Sequence, residues 1–135
     1  MADRFFDVCF GNAGESDALN CTARLVADML TGVTAEDGTA PEASVEGYLV
    51  AGKTGTAQKA DYIHGGYADD RWSSSFVGFV PAEQPRLVIG VVIDEPVIAH
   101  YGGTVAGPAF RRVAEASLRH LGVPADGEVG SLKAQ

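Results

Sequence analysis

The stretch Gly47–Lys59 reads GYLVAGKTGTAQK, and it decides the predicted fold. Its first half is apolar, and the alternation through its second half predicts a strand over 45–57. Residues two apart on a strand share a face, so Thr54 and Thr56 are expected to project side by side. Gly55 between them has no Cβ, which leaves room for another backbone to approach this strand.

Lys53 places a positive charge at this strand end. An ammonium beside two hydroxyls can hold a carboxylate, and a charge-assisted hydrogen bond of this kind is worth about 1.5–3 kcal/mol. The same ammonium can polarise a neighbouring serine, and an extended peptide can add to the free edge of the strand. The simpler alternative is a solvated lysine at a strand end. The pattern alone leaves both interpretations open.

The rest of the chain predicts two helices and two further strands. Apolar residues recur at helical spacing from Thr22, with Asn20 placed to cap the helix and Gly32 to end it. A polar, glycine-rich segment over 58–72 is expected to form a flap. The later predicted elements are a strand over 74–80, a strand over 86–93 that is apolar at both parities, and a helix from Val105 or Pro108 to Gly122.

This order predicts an α+β class, with three antiparallel strands flanked by helices. Because the last strand is apolar at both parities, it is expected to be covered on both faces, yet the helices supply one layer. We therefore interpret 21–124 as part of a domain, 1–20 as an unassigned loop or disordered segment, and 125–135 as a disordered tail. Gly78 and Gly90 are expected to allow a helix to pack closely on the sheet. The buried face of the last helix is expected to consist of Phe110, Val113, Ala114, Ser117 and Leu121.

Composition excludes some classes of function. The chain of 135 residues has 18 Asp and Glu against 10 Lys and Arg, and no basic run, which argues against nucleic acid as a partner. Cys9 and Cys21 lack zinc-ligand spacing, so they are expected as free or buried thiols and no metal site is predicted. No signal or membrane anchor is recognised, so the chain is expected in the cytoplasm if translated as written.

Five segments match the order and spacing of one protein family. They are Gly47–Lys59, the run SSFVGFVPA from Ser74, Asp94-Glu95-Pro96, Tyr101-Gly102-Gly103, and the run VAGPAF from Val105. Together they resemble class B penicillin-binding proteins, of the division (septal) type, in the C-terminal part of a serine β-lactamase/transpeptidase-like fold. Lys-Thr-Gly is one of three motifs that such serine enzymes share.

The resemblance implies a serine D,D-transpeptidase that acts at the outer face of the bacterial cytoplasmic membrane without a cofactor. In that family a serine attacks the bond between the terminal D-alanines of a peptidoglycan stem peptide, and β-lactams acylate the same serine. Lys53 takes the catalytic lysine role in this comparison. Thr54 and Thr56 bind the ligand carboxylate, Gly55 lines the groove, and Tyr101 forms an aromatic wall beside it.

The other two motifs are absent from residues 1–135, because no Ser-x-x-Lys and no Ser-x-Asn occurs. Acyl transfer needs a nucleophile and its base in hydrogen-bond reach, so the chain is not expected to catalyse the reaction alone. Three interpretations remain: a section of a transpeptidase domain whose N-terminal part is missing, a non-catalytic module that binds stem peptides or β-lactams, and a subunit complemented by another chain.

Overall fold

The computed structural model describes residues 15–125, and it has the predicted α+β class. In chain order the elements are α1 (Glu15–Thr31), β1 (Ala51–Ala60), β2 (Tyr67–Val80), β3 (Leu87–Asp94) and α2 (Gly102–Leu121), with short 3-10 turns at Gly32–Thr34 and Pro41–Ala43. The three strands form one antiparallel sheet in the order β1-β2-β3. The prediction of three antiparallel strands flanked by helices is confirmed.

The boundaries of α1 and β1 differ from the prediction. Helix α1 begins at Glu15, so residues 15–20, expected as loop, are helical, and it ends at Thr31 beside the predicted Gly32. Strand β1 begins only at Ala51, because Gly47 has a φ of +79° and turns the chain before it. The predictions for residues 1–14 and 126–135 lie outside the described residues.

The predicted flap over 58–72 is mostly strand. Strand β1 continues to Ala60 and β2 starts at Tyr67, so only a short turn joins them. In that turn the Asp61 carboxylate accepts hydrogen bonds from the amides of Ile63 and His64 and contacts the His64 ring nitrogen Nδ1 at 2.9 Å. The contact with the His64 ring, followed by the two amide bonds, lowers the pKa of Asp61. These local bonds hold the hairpin that sequence pattern suggested was a loop.

The core lies between α2 and one face of the sheet. Phe76 of β2 and Phe110 of α2 are fully buried and meet edge to face, with ring centroids 4.7 Å apart. Ala114 and Leu118 continue the buried side of α2 at four-residue spacing. The predicted face was partly wrong: Val113 and Leu121 are about half exposed, at 47% and 52%. Helix α2 begins at Gly102 rather than at Val105 or Pro108, and it stops as predicted at Gly122, whose φ is +62°.

Of the two glycines expected to allow close packing, one does so. A Cβ on Gly78 would lie 2.8 Å from the Ala51 carbonyl oxygen and 3.1 Å from the Phe110 ring, so the helix can approach because this side chain is absent. Gly90 has no comparable neighbour, since a Cβ there would meet only Val77, at 3.7 Å. The alternation of β3 places Gly90 on the face that points away from α2.

The sheet face that points away from α2 is largely exposed among residues 15–125. It carries Lys53, Val77, Val88 and Val92, and the valines are 50%, 76% and 67% exposed. We call this surface the Lys53 face. The residues of β3 alternate between half-buried and exposed, so the described helices cover one face of this strand and leave the other bare.

Self-association through the Lys53 face and the outer edge of β3 is a first prediction. An exposed apolar edge strand pairs readily with another copy, and charged side chains on that strand prevent the pairing. We expect the wild-type chain to sediment as oligomers and the Val88→Lys/Val92→Lys variant to be predominantly monomeric. Arg86→Lys, which keeps the charge before β3, is the control. A monomeric wild-type chain in analytical ultracentrifugation would contradict the prediction.

Cys21 is disulfide-bonded, so the expectation of a thiol there is wrong, and Cys9 lies outside the described residues. Neither α1 nor α2 is long and apolar enough to cross a membrane. Across residues 15–125 no three His, Cys, Asp or Glu side chains are grouped to hold a metal ion.

Candidate active site on strand β1

The Lys53–Thr56 segment lies on an edge strand, because β1 pairs with β2 on one side only within the described sheet. Thr54 lies opposite the buried Phe76, and Thr56 lies opposite the buried Ser74. Both threonines therefore share the face that carries α2, as period two predicts. Lys53 and Gly55 lie on the opposite face of β1, the Lys53 face. No described strand pairs with the outer edge of β1.

The ammonium of Lys53 reaches from its own face to the outer edge of β1. Its Nζ donates to the Thr54 carbonyl oxygen at 3.0 Å and lies 3.4 Å from the Thr54 hydroxyl oxygen. These contacts bring a positive charge and a hydroxyl together although their residues alternate in direction. Lys53 takes part in no ion pair among residues 15–125, so its charge is available to an anionic group.

The Thr56 hydroxyl is held by the start of α2. The Gly102 amide donates to Thr56 Oγ1 at 3.0 Å. Because that oxygen is occupied as an acceptor, the hydroxyl hydrogen is directed elsewhere and can be donated to a carboxylate. The amino end of a helix also carries a partial positive charge that favours an anion nearby. The geometry thus prepares Thr56 as a donor.

Gly102 can reach Thr56 only because it is glycine. A Cβ built on it would overlap the backbone carbonyl oxygens of Ser75 and Gly55. The first residue of α2 therefore lies directly on the backbones of β1 and β2. This contact is the physical reason for glycine at position 102, the first of the Gly-Gly pair in the family resemblance.

Tyr101 precedes α2 and is 65% exposed, so its ring stands at the surface next to the Gly102–Thr56 contact. Its ring centroid is 4.5 Å from that of His100, and His100 stacks on Trp72 with centroids 4.4 Å apart and planes at 15°. Trp72 and His100 were not predicted as site residues, and the three rings form one surface. Tyr62 and Tyr67 are largely exposed in the hairpin and do not join it.

Lys59 ties the end of β1 to the end of β3. Its Nζ lies 3.0 Å from the Asp94 carboxylate and 2.8 Å from Glu95 Oε1. The hydrogen bond with Glu95, then that with Asp94, raises the pKa of Lys59. Asp94 and Glu95 therefore accept hydrogen bonds from one lysine and do not form a general acid/base pair. These two ion pairs of Lys59 hold the start of the segment that leads from β3 to His100 and Tyr101.

The structure places the five predicted site residues next to one another. Lys53, Thr54, Gly55 and Thr56 are consecutive on β1, and Tyr101 adjoins them through the bond between Gly102 and Thr56. Sequence reasoning missed the Gly102 amide, because a backbone donor has no residue-type signal. It also missed the stack on His100, because Trp72 and His100 are far apart in the chain.

Comparison with protein families gives a match over most of the chain. Residues 13–115 match the family model described as the penicillin binding protein transpeptidase domain. The probable peptidoglycan D,D-transpeptidase PenA of Neisseria gonorrhoeae is 44% identical over 103 residues, which are 76% of this chain and 17% of that protein. Stage V sporulation protein D of Bacillus subtilis is 45% identical over 103 residues, 76% of this chain and 16% of that protein.

Solved structures give the same relationship. The transpeptidase domain of penicillin-binding protein 3 from Burkholderia pseudomallei has a TM-score of 0.69 and 44% identity, over 78% of this chain and 31% of that one. Penicillin-binding protein 3 of Mycobacterium tuberculosis, complexed with ampicillin, has a TM-score of 0.70 and 39% identity, over 77% and 25%. The chain thus spans less than a third of each of these relatives.

Proposed function

Because the chain belongs to the penicillin-binding protein transpeptidase family, we propose that it supplies one wall of a site for serine acyl transfer on peptidoglycan stem peptides. The observation that carries the proposal is the arrangement at the outer edge of β1. There the Lys53 ammonium, the Thr54 hydroxyl and the Thr56 hydroxyl stand on one open strand edge. This combination suits a peptide that ends in a carboxylate.

Each residue of the wall has a distinct task in this proposal. Lys53 lowers the cost of a developing alkoxide on the nucleophile and attracts the ligand carboxylate. Thr54 and Thr56 donate hydrogen bonds to that carboxylate, and the Gly102 amide keeps Thr56 oriented for it. Gly55 lines the strand edge where the acyl group passes, and Tyr101 bounds the site at the start of α2.

The nucleophile comes from polypeptide outside these 135 residues, since they contain no Ser-x-x-Lys and no Ser-x-Asn. We propose that this polypeptide packs on the Lys53 face, where exposed valines lie beside Lys53. Packing of this polypeptide then buries the apolar Lys53 face and brings the nucleophile to the site in the same step. The assembled enzyme is proposed to act at the outer face of the bacterial cytoplasmic membrane and to bind β-lactams.

Covalent labelling tests this function. We expect a fluorescent penicillin to label a mixture of this chain with a polypeptide that carries Ser-x-x-Lys and Ser-x-Asn from a relative. Lys53→Ala is expected to slow labelling about 10- to 100-fold, because a charge-assisted hydrogen bond to the reacting serine is lost. Arg112→Ala, which removes an exposed charge from α2, is the control and should label at the wild-type rate.

Two outcomes would contradict the proposal. Labelling of the wild-type mixture that is insensitive to Lys53→Ala would exclude the assigned role of the lysine. Saturable penicillin binding to this chain without any labelling of the mixture would favour the non-catalytic binding module instead.

A further inference from the structure

The space above Gly55 on the Lys53 face is not empty. Gly55 and Ser75 are directly opposite each other in the β1–β2 register. A Cβ built on Gly55 would overlap the Ser75 hydroxyl oxygen, so this oxygen leans from β2 over the backbone of β1. The hydroxyl therefore occupies the position that a side chain at residue 55 would take.

Ser75 also differs from its neighbour Ser74. Ser74 is fully buried on the α2 side, and its hydroxyl donates to the His100 carbonyl oxygen. Ser75 is partly exposed on the opposite side, and within residues 15–125 its hydroxyl makes no hydrogen bond. Alternation along β2 thus gives one serine a structural bond and leaves the other with its donor and its acceptor free.

We propose that Ser75 is a specificity-determining residue of the site, and that its hydroxyl binds a polar group of the ligand segment that crosses Gly55 on the Lys53 face. The inference rests on the proposed function, since it requires a ligand at the edge of β1. A backbone close to Gly55 on this face must meet Ser75 Oγ, because that oxygen covers the glycine. The ligand class is an acylated peptide or an acylamino β-lactam, whose amide can pair with a hydroxyl.

The hydroxyl adds selectivity that the wall of Lys53 and threonines lacks. Those groups recognise a negative charge, whereas the Ser75 hydroxyl, which is neutral and can both donate and accept a hydrogen bond, recognises an amide. A ligand with an apolar group at this point leaves the hydroxyl unpaired, and a site that hydrogen-bonds its ligand discriminates against analogues without the partner. Ser75 therefore selects for the peptide character of the ligand, and Lys53 for its carboxylate.

A titration with ampicillin tests the inference on the full chain. Ampicillin is added to the ¹⁵N-labelled protein at a concentration where the chain is monomeric, and the dissociation constant is taken from amide chemical shifts. We expect Ser75→Ala to raise this constant about 2- to 10-fold, the loss of one neutral hydrogen bond. Ser75→Thr restores a hydroxyl and is expected to return the constant toward wild type. Ser73→Ala is the matched control, on the same strand and face but opposite Ala57, and should not change it.

The outcomes separate this inference from the function. Equal dissociation constants for wild type and Ser75→Ala overturn the role of Ser75, while the labelling experiment still stands for the function. Equal weakening by Ser73→Ala and Ser75→Ala also overturns it, because the loss is then not specific to the hydroxyl over Gly55. A wild-type chain that shows no saturable shift with ampicillin overturns it as well, and only labelling of the mixture then bears on the function.

Discussion

Phe110→Ala is expected to lower the free energy of unfolding by about 3–5 kcal/mol, the range for removing a large buried aromatic side chain. Phe110 is fully buried between α2 and the sheet, and its ring meets that of Phe76 edge to face. Gly78 lets it sit close to β2, so the surrounding backbone leaves little freedom to fill the cavity. The loss combines apolar burial, the aromatic contact and an unfilled space.

Urea unfolding followed by circular dichroism, at a concentration where the chain is monomeric, gives the comparison. Val113→Ala is the control, because Val113 lies on the same helix but is 47% exposed. We expect Val113→Ala to change the free energy of unfolding much less than Phe110→Ala does. Similar losses for the two variants would mean that α2 does not pack on the sheet through Phe110.

Gly102→Ala is expected to damage both the fold and the site. The new Cβ would overlap backbone oxygens of Ser75 and Gly55, and neither can move without distorting the sheet. Overpacking of this kind costs about 1–3 kcal/mol. If the helix start moves outward to relieve the overlap, the Gly102 amide leaves the Thr56 hydroxyl, and the orientation of that donor is lost.

The control is Gly32→Ala, where a Cβ would have no neighbour within 4 Å. We expect it to leave the free energy of unfolding unchanged or slightly raised, because alanine restricts the unfolded chain. In the labelling mixture, Gly102→Ala should slow acylation and Gly32→Ala should not. A Gly102→Ala protein with wild-type stability and wild-type labelling would show that α2 does not rest on β1 in this way.

The sequence predicted the family and the class of fold. Gly47–Lys59 and four later segments were enough to identify the penicillin-binding protein transpeptidase family, and the family match over residues 13–115 confirms this. The alternation along the strand predicted that Thr54 and Thr56 share a face, and Gly122 predicted the end of α2; the structure confirms both. These features follow from neighbours in the chain, where residue type and spacing carry the information.

Other features depended on packing between distant segments. Local pattern suggested a flap where β1 and β2 extend into a longer hairpin, because strand pairing overrides a polar composition. Local pattern also predicted that Gly90, like Gly78, allows close packing of a helix, although Gly90 lies on the face of β3 that points away from α2. In both cases the register of one strand against another decided the outcome.

By itself the sequence determined that an ammonium, two hydroxyls and a glycine lie next to one another on one strand, because these are properties of consecutive residues. Only the tertiary structure decided that the Gly102 amide orients Thr56 and that the Ser75 hydroxyl covers Gly55. Each of these depends on contacts between elements that are 20 or more residues apart. Such contacts arise from the docking of α2 and the pairing of strands, so no local pattern encodes them.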